Sequence, residues 1–416
     1  MAGKLKLADL EVSDQRVLVR ADLNVPVREG VVADETRIRA TLPTLRWLLE
    51  ADAAVILMAH RGRPRGNPDP ALSMAPVAAA LEQNLGVAIE LLPDCVGAEV
   101  ESRVAALRPG RVVLLENLRF HAGETANSPD FARSLVALAP LYVNDAFGVA
   151  HRAHASVVGV PAISEKAAAG LLLEREVEML GKVLARPKAP FVVVLGGAKV
   201  SDKLAVIENL LPLADRLLVG GAMANALLVA KGAEMGISRL EEGSVDLGAQ
   251  LLAQVAGQPV QLLLPEDFVV APAVDEPGAA KEVEQVPAHS MVLDIGAKTR
   301  AQFCEALADA RTVVWNGPMG VFEVGAFAAG TYAVARAIAA LGSGALTVLG
   351  GGDTAAAAAA AGIGDQVTHM STGGGASLEL LGGIILPGVA ALTDRSRADS
   401  PPEPASAMGG QEECHG

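Results

Sequence analysis

Short runs of Val, Leu and Ile recur along the chain at intervals that leave room for helices between them. The clearest are Val17–Val19, Val55–Met58, Val112–Leu115, Leu141–Val143, Phe191–Leu195, Leu217–Val219, Gln261–Leu264, Met291–Asp294, Thr312–Trp315 and Ala345–Leu349. Between them lie Ala/Leu-rich segments with helical periodicity, such as Thr36–Glu50 and Leu171–Val183. Near-continuous apolar runs alternating with helices predict parallel strands covered on both faces, an α/β architecture.

Nearly every polar or glycine-rich cluster begins where one of these strands ends. Arg20-Ala-Asp-Leu-Asn24, His60-Arg-Gly-Arg-Pro64, Asn117-Leu-Arg119 and Asn144-Asp145 follow the first four. Gly196-Gly-Ala-Lys199, Gly220-Gly221, Asn316-Gly-Pro318 and Gly350-Gly-Gly-Asp353 follow later ones. Open parallel sheets bind ligands outside the carboxyl ends of their strands. Arginine-bearing loops come early and glycine-bearing loops late, which predicts two sheets that each present a ligand to the other.

A length of 416 residues agrees with two domains. Their junction is expected near Ser164–Pro190, where a charged helical stretch ends at Ala185-Arg-Pro-Lys-Ala-Pro190 and two prolines block its continuation. The expected limits are 1–170, completed by about 388–394, for one domain and 188–380 for the other. Arg395–Gly416, rich in Ser, Pro, Glu and Gly, reads as a disordered tail.

Charge sharpens this division. Residues 1–160 carry 17 of the 34 basic and 19 of the 48 acidic side chains, so 17 and 29 remain for the rest of the chain. Arginine supplies all the basic residues of the first part except Lys4 and Lys6. Its fork grips carboxylate and phosphate through paired hydrogen bonds, so an anionic ligand is expected there, although a bias toward Arg codons would leave the same trace. The net charge of −14 argues against nucleic acid or an anionic membrane as partner. No apolar stretch reaches membrane-spanning length, and no apolar run follows the first lysines as a secretory signal would require. The cysteines Cys95, Cys304 and Cys414 form no close pair, which fits a reducing cytoplasm.

Neither a P-loop nor a G-x-G-x-x-G fingerprint is present. Gly196-Gly-Ala-Lys-Val-Ser-Asp-Lys203 instead places Lys199 and Lys203 four apart after a strand, as if on one face of a helix that meets a polyphosphate. Ser371-Thr-Gly-Gly-Gly-Ala376 offers a second helix start whose backbone donors are open to an anion. Tight βα turns would also use such glycines. Asp353 fits either a Mg²⁺ ligand or an N-cap for the Ala-rich run behind it, and the residues alone leave both open. His151 and His154 have metal-pair spacing but no placed carboxylate or thiolate to complete a zinc site.

Arg20-Ala-Asp-Leu-Asn-Val-Pro26 closely resembles the R-V-D-[LF]-N-V-P signature of the phosphoglycerate kinases. The motifs that begin at His60, Leu115, Asn144, His151, Gly196, Gly220, Trp315, Gly350 and Ser371 match that family in order, over roughly residues 5–394. The resemblance implies two doubly wound, Rossmann-like parallel-sheet domains joined by a hinge. It implies a 3-phosphoglycerate site at Asp22, Leu23, Asn24, Arg37, His60, Arg61, Gly62, Arg63, Arg119 and Arg152. It implies a nucleotide site at Lys199, Lys203, Asn316, Glu323, Gly351, Gly352, Asp353 and Thr354, with Glu323 at the ribose and Asp353 on Mg²⁺. Arg37, Lys203, Gly373 and Gly374 would serve the transferring phosphoryl group. The implied reaction is reversible phosphoryl transfer between 1,3-bisphosphoglycerate and MgADP by a glycolytic, cytoplasmic, monomeric enzyme. One departure stands out: the family usually carries Glu-Gly-Lys where this chain has Gly382-Gly-Ile384, so a looser hinge is expected.

Overall fold

The computed structural model describes residues 3–397. Six parallel strands form the first sheet: β1 (Arg16–Ala21), β2 (Ala54–Met58), β3 (Ile89–Leu91), β4 (Val112–Leu114), β5 (Leu141–Asp145) and β6 (Lys166–Ala169), in the order β3-β4-β2-β1-β5-β6. Six more form the second: β7 (Phe191–Leu195), β8 (Arg216–Val219), β9 (Gln261–Leu263), β10 (Thr312–Asn316), β11 (Leu346–Gly350) and β12 (His369–Met370), in the order β9-β8-β7-β10-β11-β12. The strand order reverses between β1 and β5 in one sheet and between β7 and β10 in the other. A doubly wound sheet opens its ligand crevice at that switch point. The loops after β1, β5, β7 and β10 therefore occupy the positions where chemistry is expected.

The central strands β2, β5, β7 and β10 are buried along their whole length, as their unbroken apolar runs require. The helix predicted over Thr36–Glu50 forms with those limits. The helix Leu171–Ala185 stops before Pro187, as the prolines dictate. Its buried Leu173, Val177, Leu180 and Val183 join an apolar cluster that runs from Leu18 and Ile56 of the first sheet to Val193 and Val219 of the second. The two sheets thus share one continuous strip of core through this helix.

Some sequence expectations are corrected. Met291–Ile295 belongs to no parallel sheet; it pairs antiparallel with Phe268–Ala271, which also pairs with Lys281–Val283. Lys166-Ala-Ala-Ala169 has the composition of a helix but is drawn into β6 by its neighbour Leu141–Asn144. Gly382-Gly383 forms a helix end rather than a free linker. Gly383, at φ 79°, closes the helix Gly374–Leu381 in a Schellman turn, its N–H donating to Leu380 while Ile384 N–H donates to Glu379 at 3.0 Å each. Arg395, the first residue assigned to the tail, is held by Asp9 at 2.7 Å. The rest of that expected tail, 398–416, lies outside the described residues.

Candidate active site

The β1, β2, β4 and β5 loops converge on a cleft of about 370 Å³. Asn24, Arg37, His60, Gly62, Arg63, Arg119 and Arg152 line it from one side, and Gly352, Gly374 and Gly375 from the other. The loops are tied to one another before any ligand arrives. Asn24 Oδ1 accepts from Gly62 N–H at 2.9 Å, and Arg119 donates to Gly62 O at 2.8 Å. The Asn117 amide bridges the chain at Arg61, Leu72 and Arg119. Arg37 enters from the first turn of the helix Thr36–Glu50 and donates to Asp22 Oδ1 at 3.0 Å.

Four arginines around one cleft repel each other, and the protein holds them there. Burial and the neighbouring Arg20, Arg152 and Arg63 lower the Arg119 guanidinium to about 10, and its Nε is buried without a partner among the described residues. Burial first, and then the charges of the neighbouring Arg20 and Arg119, hold the His60 pKa well below the usual histidine range. Its Nδ1 lies 3.0 Å from Arg20 Nη2. Arginine can only donate, so Nδ1 accepts, and the ring proton belongs on Nε2. A neutral histidine that donates and a crowd of guanidinium groups, only one of them ion-paired, together form a receptor for a small polyanion.

Not every predicted residue faces this cleft. Arg61 turns away, donating to Ser73 O at 3.1 Å and to Ala71 O, so its side chain braces the loop behind the site. Leu23 is fully buried and has only backbone to offer. Lys199 and Lys203 do not share a helix face. A 3₁₀ turn, Ser201–Lys203, precedes the helix Leu204–Leu210, so Lys203 is buried beside Gly197 while Lys199 is exposed. Burial lowers the Lys203 pKa, against Asp202 and Asp353.

Around β10 and β11, Asn316 Nδ2 donates to Gly350 O at 2.8 Å and Gly317 N–H to Thr354 Oγ1 at 2.7 Å. Gly351, at φ 97°, is the N-cap of the helix Gly352–Ala360 and has no side chain to cap with. Asp353 therefore does not cap that helix; its carboxylate is exposed in the first turn, near Lys203. Glu323 is exposed on the loop after β10.

A model of the family described as phosphoglycerate kinase matches residues 7–384. The chain belongs to the phosphoglycerate kinase family. It is 55% identical over 395 residues to phosphoglycerate kinase of Moorella thermoacetica, an alignment that covers 94% of this chain and 100% of that one. The solved phosphoglycerate kinase of Coxiella burnetii superposes with a TM-score of 0.84 at 40% identity, covering 95% of this chain and 100% of that one. That of Pyrococcus horikoshii gives 0.83 at 34%, covering 93% and 98%. Membership makes the chain a glycolytic kinase, a transferase whose small-molecule substrates include a nucleotide.

Three features of the site were missed in the sequence. Gly148 and Val149, after β5, and His151 line the cleft. The loop Asn144-Asp-Ala-Phe-Gly148 was visible as a polar strand end, but its approach to the second sheet was not. Gly373 packs against Phe147 and Gly148 so closely that a Cβ there would lie 2.6 Å from Phe147 Cδ1 and 2.9 Å from Gly148 Cα. On the helix Leu171–Ala185, the buried Glu176 accepts from Thr372 N–H at 2.7 Å and Thr372 Oγ at 2.8 Å, with His369 Nε2 at 2.7 Å. The helix between the sheets thereby holds the loop that leads into Gly373-Gly-Gly375.

Proposed function

We propose that the chain catalyses reversible phosphoryl transfer between 1,3-bisphosphoglycerate and MgADP, giving 3-phosphoglycerate and MgATP. The observation that carries this reading is one cleft lined by Arg37, Arg63, Arg119 and Arg152 on one face and by Gly352 and the Gly374-Gly375 helix start on the other. The arginines and His60 Nε2–H receive 3-phosphoglycerate, steadied by Asp22, Asn24 and the Gly62 backbone. Lys203, Asn316, Glu323 and the Gly351–Thr354 turn receive the nucleotide. Lys199, exposed on the loop after β7, is the nucleotide-side lysine nearest solvent.

In the ATP-consuming direction a carboxylate oxygen of 3-phosphoglycerate attacks the γ-phosphorus, and the bond from phosphorus to the ADP oxygen breaks. That carboxylate, with a pKa of about 3–4, is already ionised, so no general base is required. Arg37, Lys203 and the Gly373 and Gly374 amides neutralise the charge spread over the transferring group. Asp353 fits a Mg²⁺ ligand because its carboxylate is exposed, caps nothing and faces Lys203. Bound there with the nucleotide, Mg²⁺ would supply charge neutralisation. Closure of the two domains about the helix Leu171–Ala185 excludes water from an acyl phosphate that water would hydrolyse.

The proposed domains are 1–170 with 388–394, and 188–380. In support, Gly388 N–H donates to Ala150 O at 2.8 Å and Thr393 N–H to Ala167 O at 2.9 Å, so the chain's last described stretch returns to the first sheet. A cytoplasmic monomer is the proposed working form; no helix among the described residues is long and apolar enough to cross a membrane. A coupled assay tests the activity: ATP consumption should require both 3-phosphoglycerate and Mg²⁺. Equal consumption with acetate in place of 3-phosphoglycerate would refute the substrate assignment.

A further inference from the structure

A larger cleft, about 930 Å³, opens at the opposite ends of the second sheet's strands. Its floor is apolar, made by Ala339, Ala345, Leu346 and Val367, where β11 begins and the chain approaches β12. Its rim is basic: Lys182 and Arg186 come from the end of the helix Leu171–Ala185 and just beyond it, Lys188 from the link into β7, and Arg311 from the residue before β10.

This clustering stands against the charge of its surroundings. Residues 161–416 carry 17 basic side chains against 29 acidic ones, yet four of those 17 meet at one cleft. Only Lys182 is committed, to Glu178 at 2.7 Å on its own helix. Among the described residues, the Arg186, Lys188 and Arg311 side chains form no hydrogen bond or ion pair, although Arg311 feels the nearby Asp309. Asp365 is the one carboxylate in the lining. The Arg311 guanidinium lies against the turn Gly342–Gly344, with Nη1 3.5 Å from where a Cβ on Gly344 would stand.

We propose that this cleft binds a small phosphate ester with a flat apolar body, the phosphate held by Arg186 and Arg311 with Lys188, and the body laid on Leu346 and Val367. An apolar floor under a rim with excess positive charge selects such a ligand over inorganic phosphate, which gains nothing from the floor, and over an uncharged ring, which leaves the arginines unpaired. The site is separate from the central cleft and shares no lining residue with it.

Calorimetric titration with 1-naphthyl phosphate tests this on the full chain. R186Q/R311Q should weaken its binding by about tenfold or more, because two charge-assisted contacts are lost. R37Q/R63Q, which disables the central cleft, should leave that binding in place, and inorganic phosphate should bind more weakly than the ester. Both arginines are exposed, so the double variant should melt with the wild type, and its melting curve confirms that it folds. Unchanged affinity in R186Q/R311Q, or loss in R37Q/R63Q alone, would overturn the proposal.

Discussion

Gly373→Ala is the sharpest probe of whether the arrangement seen here is the reactive one. The backbone at Gly373 has φ −117° and ψ 88°, so alanine meets no left-handed strain. The whole effect is steric. The new Cβ would lie 2.6 Å from Phe147 Cδ1 and 2.9 Å from Gly148 Cα, whereas carbon atoms in contact prefer about 3.5–4.0 Å. Phe147 is fully buried and the Gly148 contact is backbone, so neither can step aside. The loop after β5 and the Gly373-Gly-Gly375 loop must part by about 1 Å. A displacement of that size between reacting groups costs about 10²-fold in turnover, equivalent to about 2.7 kcal/mol in the barrier. Steady-state kinetics should show the loss in kcat, with the KM for each substrate changed far less, because each substrate binds mainly to one sheet. Melting temperature should fall by no more than corresponds to the cost of overpacking one methyl group, about 1–3 kcal/mol. Turnover within twofold of wild type would refute the reasoning, since the two loops would then not need this contact for transfer.

Arg37→Ala should abolish turnover while calorimetry finds ADP affinity nearly unchanged, because Arg37 is bonded to Asp22 and Asn24 in the first domain; a large loss of ADP binding would contradict the two-site division. Asp353→Asn should leave the melting temperature in place, since Asp353 caps nothing, and should raise the Mg²⁺ concentration needed for half-maximal rate; an unchanged titration with normal turnover would remove Asp353 from the metal site. Asp145 is fully buried, and burial pushes its carboxyl up to about 7 against hydrogen bonds from Thr44, Leu172 and Leu173. Its folded value lies above the unfolded one, so its contribution to stability is present below about pH 4 and is lost as pH rises through 7. Asp145→Asn should therefore be more stable than wild type at about pH 8, by on the order of 4 kcal/mol, with the gap closing toward pH 4 in denaturant melts.

The parts of the fold legible in the sequence are those that local chemistry dictates. Thr36–Glu50 has its period and Phe191–Leu195 its unbroken apolar run, and both formed as read. β6 was not legible because Lys-Ala-Ala-Ala carries no strand signal; its state is imposed by the strand beside it. Met291–Ile295 carries a good strand signal, but nothing in five residues says which sheet will take it. The candidate site divides in the same way. Residue types pointed to an arginine cluster, but which arginine faces inward is decided across the fold: Arg61 and Arg63 are two apart, and carbonyl groups at Ala71 and Ser73 take one of them. Lys199 and Lys203 parted because a 3₁₀ turn came before the helix, a choice that four-residue spacing does not reveal.

The return of the chain's end to its beginning governs how the molecule can be made. Leu5 N–H donates to Thr393 O at 2.9 Å, Ala169 N–H to Leu5 O at 3.0 Å, and Thr393 N–H to Ala167 O at 2.9 Å. The outer edge of β6 is thus covered by the two opposite ends of the polypeptide. A chain emerging from the ribosome can pair Ala169 with Leu5 as soon as β6 is made, but the Thr393 contacts to Leu5 and Ala167 form only after the entire second sheet has been synthesised. The half that is translated first is the half completed last. Synthesis halted after Gly388 would leave the Ala167 part of the β6 edge without its Thr393 partner and open to another nascent chain, so the few residues from Val389 to Asp394 protect against misassembly as well as closing the fold.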